Sequence, residues 1–450
     1  MSELEIAEKV PEQDQRILPR TVTPIDETPN TDPASDSDVP TYPEGGWAAW
    51  SIVLGSWMAL FGSMSFMNSI GTFQAYLVRH QLQSSSVTAV GWIFGVYNGL
   101  TFLLGVQAGP IFDARGPREL VFCGGVCTVL YLVLLGFCTE YWHFMLVFGV
   151  LGGTSLSLIF GPAISIVAHY FSRRRAFASG IASSGGAVGG IVFPIMLQKL
   201  FASVGFAWAT RIAAFICLFT FSLSVALIRP RFPKKPLTLL TIRPDPFIFR
   251  QAALSLTSLG VFFMEWGLFV PLSYLTSYAL DNQHSVAFSY MQLSLVNAGG
   301  IFGRWVVGYF ADRFGRFNLF IITVLGGGVC CLCFWLPATS SPVLLVIFSL
   351  SFGFFNGGNV SLAPVCIGQL CGIESYGRYY ATAYVLVSIG FVTSPLTFTG
   401  TPLAGEILSR SGGKYWGLIV FTIVSYAASL LCLVGGKIAA CGVGNMWARF

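Results

Sequence analysis

Charge is what this chain of 450 residues has least of: 10% of them are Asp, Glu, Lys or Arg, where a soluble domain carries about a quarter. That scarcity excludes an ordinary soluble protein and a nucleic-acid binder. The 11 cysteines fall almost wholly inside apolar runs with no recurring spacing, which excludes a disulfide-stapled secreted domain and leaves them as small core residues. Cys330, Cys331 and Cys333 lie together but without a histidine or carboxylate in the run, so no metal is expected. No Gly-x-x-x-x-Gly-Lys loop for nucleotide phosphates occurs, and no cofactor is expected. What the chain does have is 54% hydrophobic residues, 50 glycines and 40 phenylalanines, with a mean hydropathy of +0.71. Such a composition suits helices that pack through small residues and show bulky apolar groups to lipid.

The start of the chain is a separate physical object. Residues 1–46 hold 11 of the 20 acidic residues and 3 of the 25 basic ones. Rich in Pro, Thr, Ser, Asp and Glu, the stretch cannot bury enough apolar surface to fold. It also lacks the basic and apolar regions of a cleaved leader, so it is expected to be a disordered cytosolic tail. Beyond it, apolar stretches of about 20 residues, enough to cross roughly 30 Å of hydrocarbon, recur twelve times. Six lie near 47–71, 87–108, 119–138, 142–167, 176–198 and 206–228, and six near 252–278, 287–310, 317–337, 342–364, 376–398 and 415–436. The expected organisation is a first bundle over 47–228, a basic linker over 229–251, a second bundle over 252–436 and a cytosolic end over 437–450.

Two further patterns support that count. With the tail inside, the cytosolic connections carry sixteen Lys and Arg against four in the outer ones, as the retention of basic residues on the inner side requires. Gly109, Asp113 and Gly116 also recur 199 residues later as Gly308, Asp312 and Gly315, in GPIFDARGPR and GYFADRFGR. Both copies join the second and third spans of their half, which is the trace of two parallel halves around a central cavity.

These residues resemble a known superfamily. The Gly-x-x-x-Asp-x-x-Gly loop in both halves is similar to the signature of the major facilitator superfamily. Pro43-Glu44-Gly45-Gly46-Trp47 and the lead His169-Tyr170-Phe171-Ser172-Arg173-Arg174-Arg175 resemble the fungal members of its monocarboxylate porter family. The resemblance covers residues 43 to about 436. It implies an all-α integral membrane fold of 12 transmembrane helices in two pseudosymmetric six-helix bundles, working by alternating access. It also implies that Asp113 and Asp312, with Arg115, Arg313 and Arg316, form gating loops that lock the outward-facing state across the halves.

Ionisable groups at membrane depth are costly, so each is a functional candidate. Glu265 is roughly 20 Å from either end of the seventh span at 1.5 Å per residue; burial there disfavours its charge, which suits a proton carrier as well as a carboxyl packed between helices. Arg304 lies about two turns before Asp312. The resemblance implies that an arginine there binds a substrate carboxylate, for which a bidentate pair is available; a snorkelling arginine is the structural alternative. The chain departs from the best-known animal members in two places: Gly300 stands where they carry an aspartate, and Asn68 where they carry a lysine. Asn68, Asn297 and Tyr274 complete the expected substrate-binding set. Phe66, Tyr97, Tyr384 and Trp266 are stacking candidates or packing residues, and Pro271 and Pro364 are candidate kinks.

The expected function is secondary active transport of a small organic molecule through a lipid bilayer, with a proton as a coupling ion through Glu265. An acidic secondary metabolite leaving a fungal cell is the favoured cargo. Import of a monocarboxylate or vitamin-like nutrient, or a nutrient sensor of the same fold, are the alternatives. An enzyme is the contrasting class, and no span holds the His, Asp or metal cluster it would need. The expected place is the cell membrane, or an internal one such as the vacuolar membrane, with both termini cytosolic.

Overall fold

The protein is described here from a computed structural model, over residues 42–236, 246–339, 341–372, 375–392, 407, 411 and 414–442. The tail expected over 1–46 falls outside these residues up to 41, as do residues 237–245 of the expected linker and 443–450 of the expected C-terminal segment. Every regular element among the described residues is helical.

The first half contributes α1 (Gly46–Asn68), α2 (Val87–Arg115), α3 (Pro117–Leu135), α4 (Tyr141–Tyr170), α5 (Arg175–Ser203) and α6 (Gly205–Leu227). The second contributes α7 (Ala252–Asp281), α8 (Val286–Phe314), α9 (Arg316–Trp335), α10 (Pro342–Gln369), α11 (Tyr376–Val392) and α12 (Trp416–Cys441). Among the described residues, ten of them are long and apolar enough to cross a membrane. The remaining two are α8, which carries Asn297, Arg304, Asp312 and Arg313, and α11, described over 17 residues. Large apolar side chains such as Phe122, Phe137, Phe215, Phe219 and Leu431 stand exposed, as a lipid-facing surface requires.

The repeat is visible in how helices begin and end. Ser86 and Ser285, 199 residues apart, each cap a 29-residue helix, their hydroxyls accepting from the amides of Ala89 (3.1 Å) and Phe288 (3.3 Å). Both helices stop at the loop glycines, Gly116 at φ 83° and Gly315 at φ 97°, a left-handed conformation that costs a Cβ-bearing residue about 1 kcal/mol or more. Three local features depart from the sequence pattern. α1 breaks at Ser69 and continues as a short helix, Ile70–Arg79, and π-helical stretches occur in α4, Met145–Gly152, and at the end of α9, Cys331–Trp335.

Each half has its own apolar core. One gathers residues from Ala49 to Ile228, the other runs from Ile248 to Leu433 and takes in Phe102 and Ala176 from the first half. The halves meet along α2 with α11 and along α5 with α8 and α10. Backbone touches backbone there. A Cβ at Gly109 would lie 2.2 Å from the Gly377 carbonyl oxygen, and one at Gly180 would lie 2.2 Å from that of Arg304, so only glycine permits these crossings.

Candidate functional site

The repeated loops close one face of the molecule. Asp113, at the end of α2, accepts from the amides of Gly377 (2.9 Å) and Arg378 (2.7 Å) at the start of α11. Asp312, at the matching place in α8, accepts from the amides of Ala176 (3.1 Å) and Phe177 (2.9 Å) at the start of α5. Each carboxylate therefore caps a helix of the opposite half, where unsatisfied N–H groups and the helix dipole both favour an anion. Arg316 reinforces one side, its Nε donating to Asp312 at 3.0 Å and its Nη2 to the Ser172 carbonyl. Arg175 is buried and reaches across as well, donating to the Gly368 carbonyl at 3.3 Å near the C-terminus of α10. Arg115 and Arg313 take other positions: the first lies 3.9 Å from Glu119, the second sits over the Tyr309 ring at 4.3 Å.

The two short motifs found in the sequence are joined in space. Glu44 Oε1 accepts from the amides of Ser172 (2.8 Å) and Arg173 (2.7 Å), and the Glu44 amide donates to Tyr170 O at 3.2 Å. The Pro-Glu-Gly-Gly segment is thus the clamp that holds the α4–α5 turn. The first linker residues fold back on the same face, where the Lys235 amide donates to Ala114 O at 2.8 Å and the Arg231 guanidinium to the His169 carbonyl.

Deeper in, Arg304 is buried on α8, and its Nε has no hydrogen-bond partner among the described residues. Its Nη1 occupies space 2.9 Å from where a Cβ at Gly300 would stand. Gly300 therefore makes room for the guanidinium to lie along its own helix. Asn68 and Asn297 come together across the halves, both pressed on Gly190 of α5 at 2.9–3.0 Å from its Cβ position. Their amides donate to Gly186 O (3.2 Å) and Leu293 O (3.0 Å). Ser183 and Ser361 meet at 3.0 Å between α5 and α10, and Asn356 Oδ1 and both amide atoms of Asn359, unpartnered among the described residues, also lie on α10. Tyr274 stands apart, half-buried toward the far end of α7 in the second core.

Glu265 occupies a different wall. It is buried on α7, and the Tyr384 hydroxyl of α11 donates to its Oε1 at 3.2 Å. No ion pair links it to Arg304 among the described residues. Tyr384 lines a narrow cleft between α2, α4 and α11, with Phe102, Phe160, Tyr380 and the glycines Gly105 and Gly161. Of these, the sequence reading had singled out Tyr384 alone. The i, i+4, i+8 spacing of Tyr376, Tyr380 and Tyr384 was the available signal, but it is also the spacing of a packed helix face. Phe66 and Tyr97 belong to the first core, packed against Tyr131, Phe193 and Phe148.

The profile of the Major Facilitator Superfamily matches residues 52–395. An MFS transporter of Aspergillus flavus, asaE, is 31% identical over 423 residues, covering 93% of each chain. The riboflavin transporter MCH5 of Saccharomyces cerevisiae is 32% identical over 92% of this chain and 82% of its own. The fujikurins efflux protein of Gibberella fujikuroi is 34% identical over 88% and 82%. Among solved structures, the crystal structure of the transporter FucP in the outward conformation superposes with a TM-score of 0.62 over 85% of this chain and 97% of its own, at 16% identity, a likeness of fold.

Proposed function

The chain belongs to the Major Facilitator Superfamily and is a multi-pass transporter of a small molecule; within that family we propose that it is a fungal monocarboxylate-porter-type carrier that exports an acidic organic metabolite. The observation that carries the reading is Arg304, a buried guanidinium with an unpartnered Nε. Burying a cation without a partner costs several kcal/mol, and a cargo carboxylate entering the site removes that cost through a charge-assisted pair. Asn68 and Asn297, side by side across the halves, supply neutral hydrogen bonds to the rest of the cargo. Glu265 is the proton carrier, held among the described residues by a neutral phenol. Asp113, Asp312, Arg316 and Arg175 hold the closed face, which the excess of basic residues makes the cytosolic one, with both termini on that side at the cell membrane. The fujikurins efflux relative at 34% identity and this pattern favour export; the riboflavin transporter at 32% identity supports a second reading, import of a vitamin-like nutrient.

The test is to delete the gene in its source organism and compare the acidic metabolites of cells and medium by mass spectrometry. Export predicts compounds that build up in cells and vanish from the medium, restored by the wild-type chain and by neither Arg304→Ala nor, fully, Arg304→Lys, which keeps charge but loses the planar fork. Compounds lost from cells and left in the medium support import, and unchanged profiles on both sides contradict the reading.

A further inference from the structure

We infer that the cleft between α2, α4 and α11 receives a flat conjugated section of the cargo, with the Tyr380 hydroxyl as its hydrogen-bond partner. The inference rests on the reading of the chain as a carrier of organic acids, and adds to it the shape of the molecule and a second point of recognition away from Arg304.

Three observations lead there. First, the walls are aromatic: Phe102 and Tyr384 lie 6.3 Å apart between centroids and 13° from parallel, the Tyr380 ring is 4.7 Å from that of Tyr384, and Phe160 completes the lining. A saturated ligand gains only burial from such walls, whereas a flat one adds ring-to-ring contact.

Second, two glycines keep the cleft open where nothing in the packing demands them. A Cβ at Gly105 would meet no atom within 4 Å, and one at Gly161 would find only Tyr380 Cε1, at 3.9 Å. Both are helical, so neither is needed for backbone conformation. These differ from Gly109 and Gly180, which the helix crossings require. Gly105 is also the counterpart of Arg304 under the 199-residue repeat: where the second half places a cation, the first half leaves space.

Third, one polar group of the cleft is buried without a hydrogen bond. Thr101 and Ser157 spend their hydroxyls on carbonyls of their own helices, at 2.8 and 2.7 Å, and Tyr384 donates to Glu265. Tyr380 is 5% exposed, and its Oη makes no hydrogen bond of good geometry among the described residues, its neighbour being the Tyr384 hydroxyl already given to Glu265. A buried unpartnered hydroxyl is costly, and an oxygen on the edge of a conjugated ring satisfies it. Because Tyr384 touches both cleft and carboxyl, a ligand seated there lies one side chain from Glu265.

The experiment measures calorimetric binding of three probes to the purified full chain in detergent: 2-naphthoate, 6-hydroxy-2-naphthoate and the saturated decahydro-2-naphthoate. The expected order is hydroxynaphthoate, naphthoate, decahydronaphthoate, with about three- to tenfold between the flat and saturated acids. Gly105→Leu, which fills the cleft, should level the naphthoate and decahydronaphthoate affinities; Gly161→Leu serves the same end should the first variant fail to fold. Tyr380→Phe should remove the advantage of the hydroxyl and leave plain naphthoate unchanged. Equal binding of the flat and saturated acids, no binding of any probe, or a preference that survives both leucine variants overturns the inference. Failure of the Arg304 reading looks different: Arg304→Ala would leave all three affinities unchanged while the flat-over-saturated preference persists.

Discussion

Asp312→Asn is the sharpest probe of the closed face. The carboxylate accepts three hydrogen bonds, two from backbone amides of the opposite half and one from Arg316, and its side chain is 9% exposed, so solvent screens it little. A hydrogen bond to a charged group contributes about 1.5–3 kcal/mol against about 0.5–1.5 for a neutral one. Neutralising the acceptor of the two cross-half bonds therefore weakens the closed face by about 2–3 kcal/mol, roughly a 30- to 150-fold shift toward opening. Hydrogen exchange with mass spectrometry reads this directly, since Ala176 and Phe177 donate to Asp312 and exchange only when it lets go. The control is built into the repeat. Gly377 and Arg378 are held by Asp113, not by Asp312; if the halves part as rigid bodies, the first turns of both α5 and α11 should exchange faster in the variant. Faster exchange at α5 with no change at α11 would refute the idea that the four caps open as one gate.

The remaining predictions concern other parts of the chain. Gly300→Asp should place a carboxylate beside the Arg304 guanidinium, whose Nη1 is 2.9 Å from the Cβ position; transport of an acidic cargo should fall at least tenfold, checked by vesicle flux at equal expression. Gly180→Val should keep the face from closing, because its Cβ would lie 2.2 Å from the Arg304 carbonyl oxygen; flux should be lost while the protein still reaches the membrane, as surface labelling would show. Removal of residues 1–41 should leave transport intact, whereas Glu44→Ala, which frees the amides of Ser172 and Arg173, should lower thermal stability by an amount worth about 1–3 kcal/mol in a melting assay of the purified chain.

The frame of the molecule was legible because it repeats. Hydrophobic runs of membrane length and the Gly109/Gly308, Asp113/Asp312 and Gly116/Gly315 pairs announce two similar halves. What each aspartate does was less legible: the resemblance implies a lock across the halves, yet the cross-half partners are backbone amides 136 and 264 residues away, and amides leave no mark in side-chain identity. Arg115 and Arg313 look equivalent to Arg316 on the page, and only the turn of the helix sends them to Glu119 and Tyr309. The break at Ser69 and the π-helical stretch of α4 lie within continuous apolar runs and leave no trace in hydrophobic periodicity. The cleft was hidden for a related reason. Tyr380 belongs to a stripe that reads as core, and the two glycines that open the space are indistinguishable in sequence from those that allow helices to touch.

The central claim, a carrier that ties an acidic cargo to the proton gradient through Glu265, is tested most directly by reconstituting the wild-type chain and Glu265→Gln in proteoliposomes. The compound identified by the deletion experiment is the cargo, an imposed pH gradient the driving force, with and without a protonophore. The account predicts that the wild-type chain accumulates the compound above its equilibrium level and loses that accumulation with the protonophore, while Glu265→Gln equilibrates the compound yet never concentrates it. A Gln variant that still accumulates cargo and remains sensitive to the protonophore would contradict it.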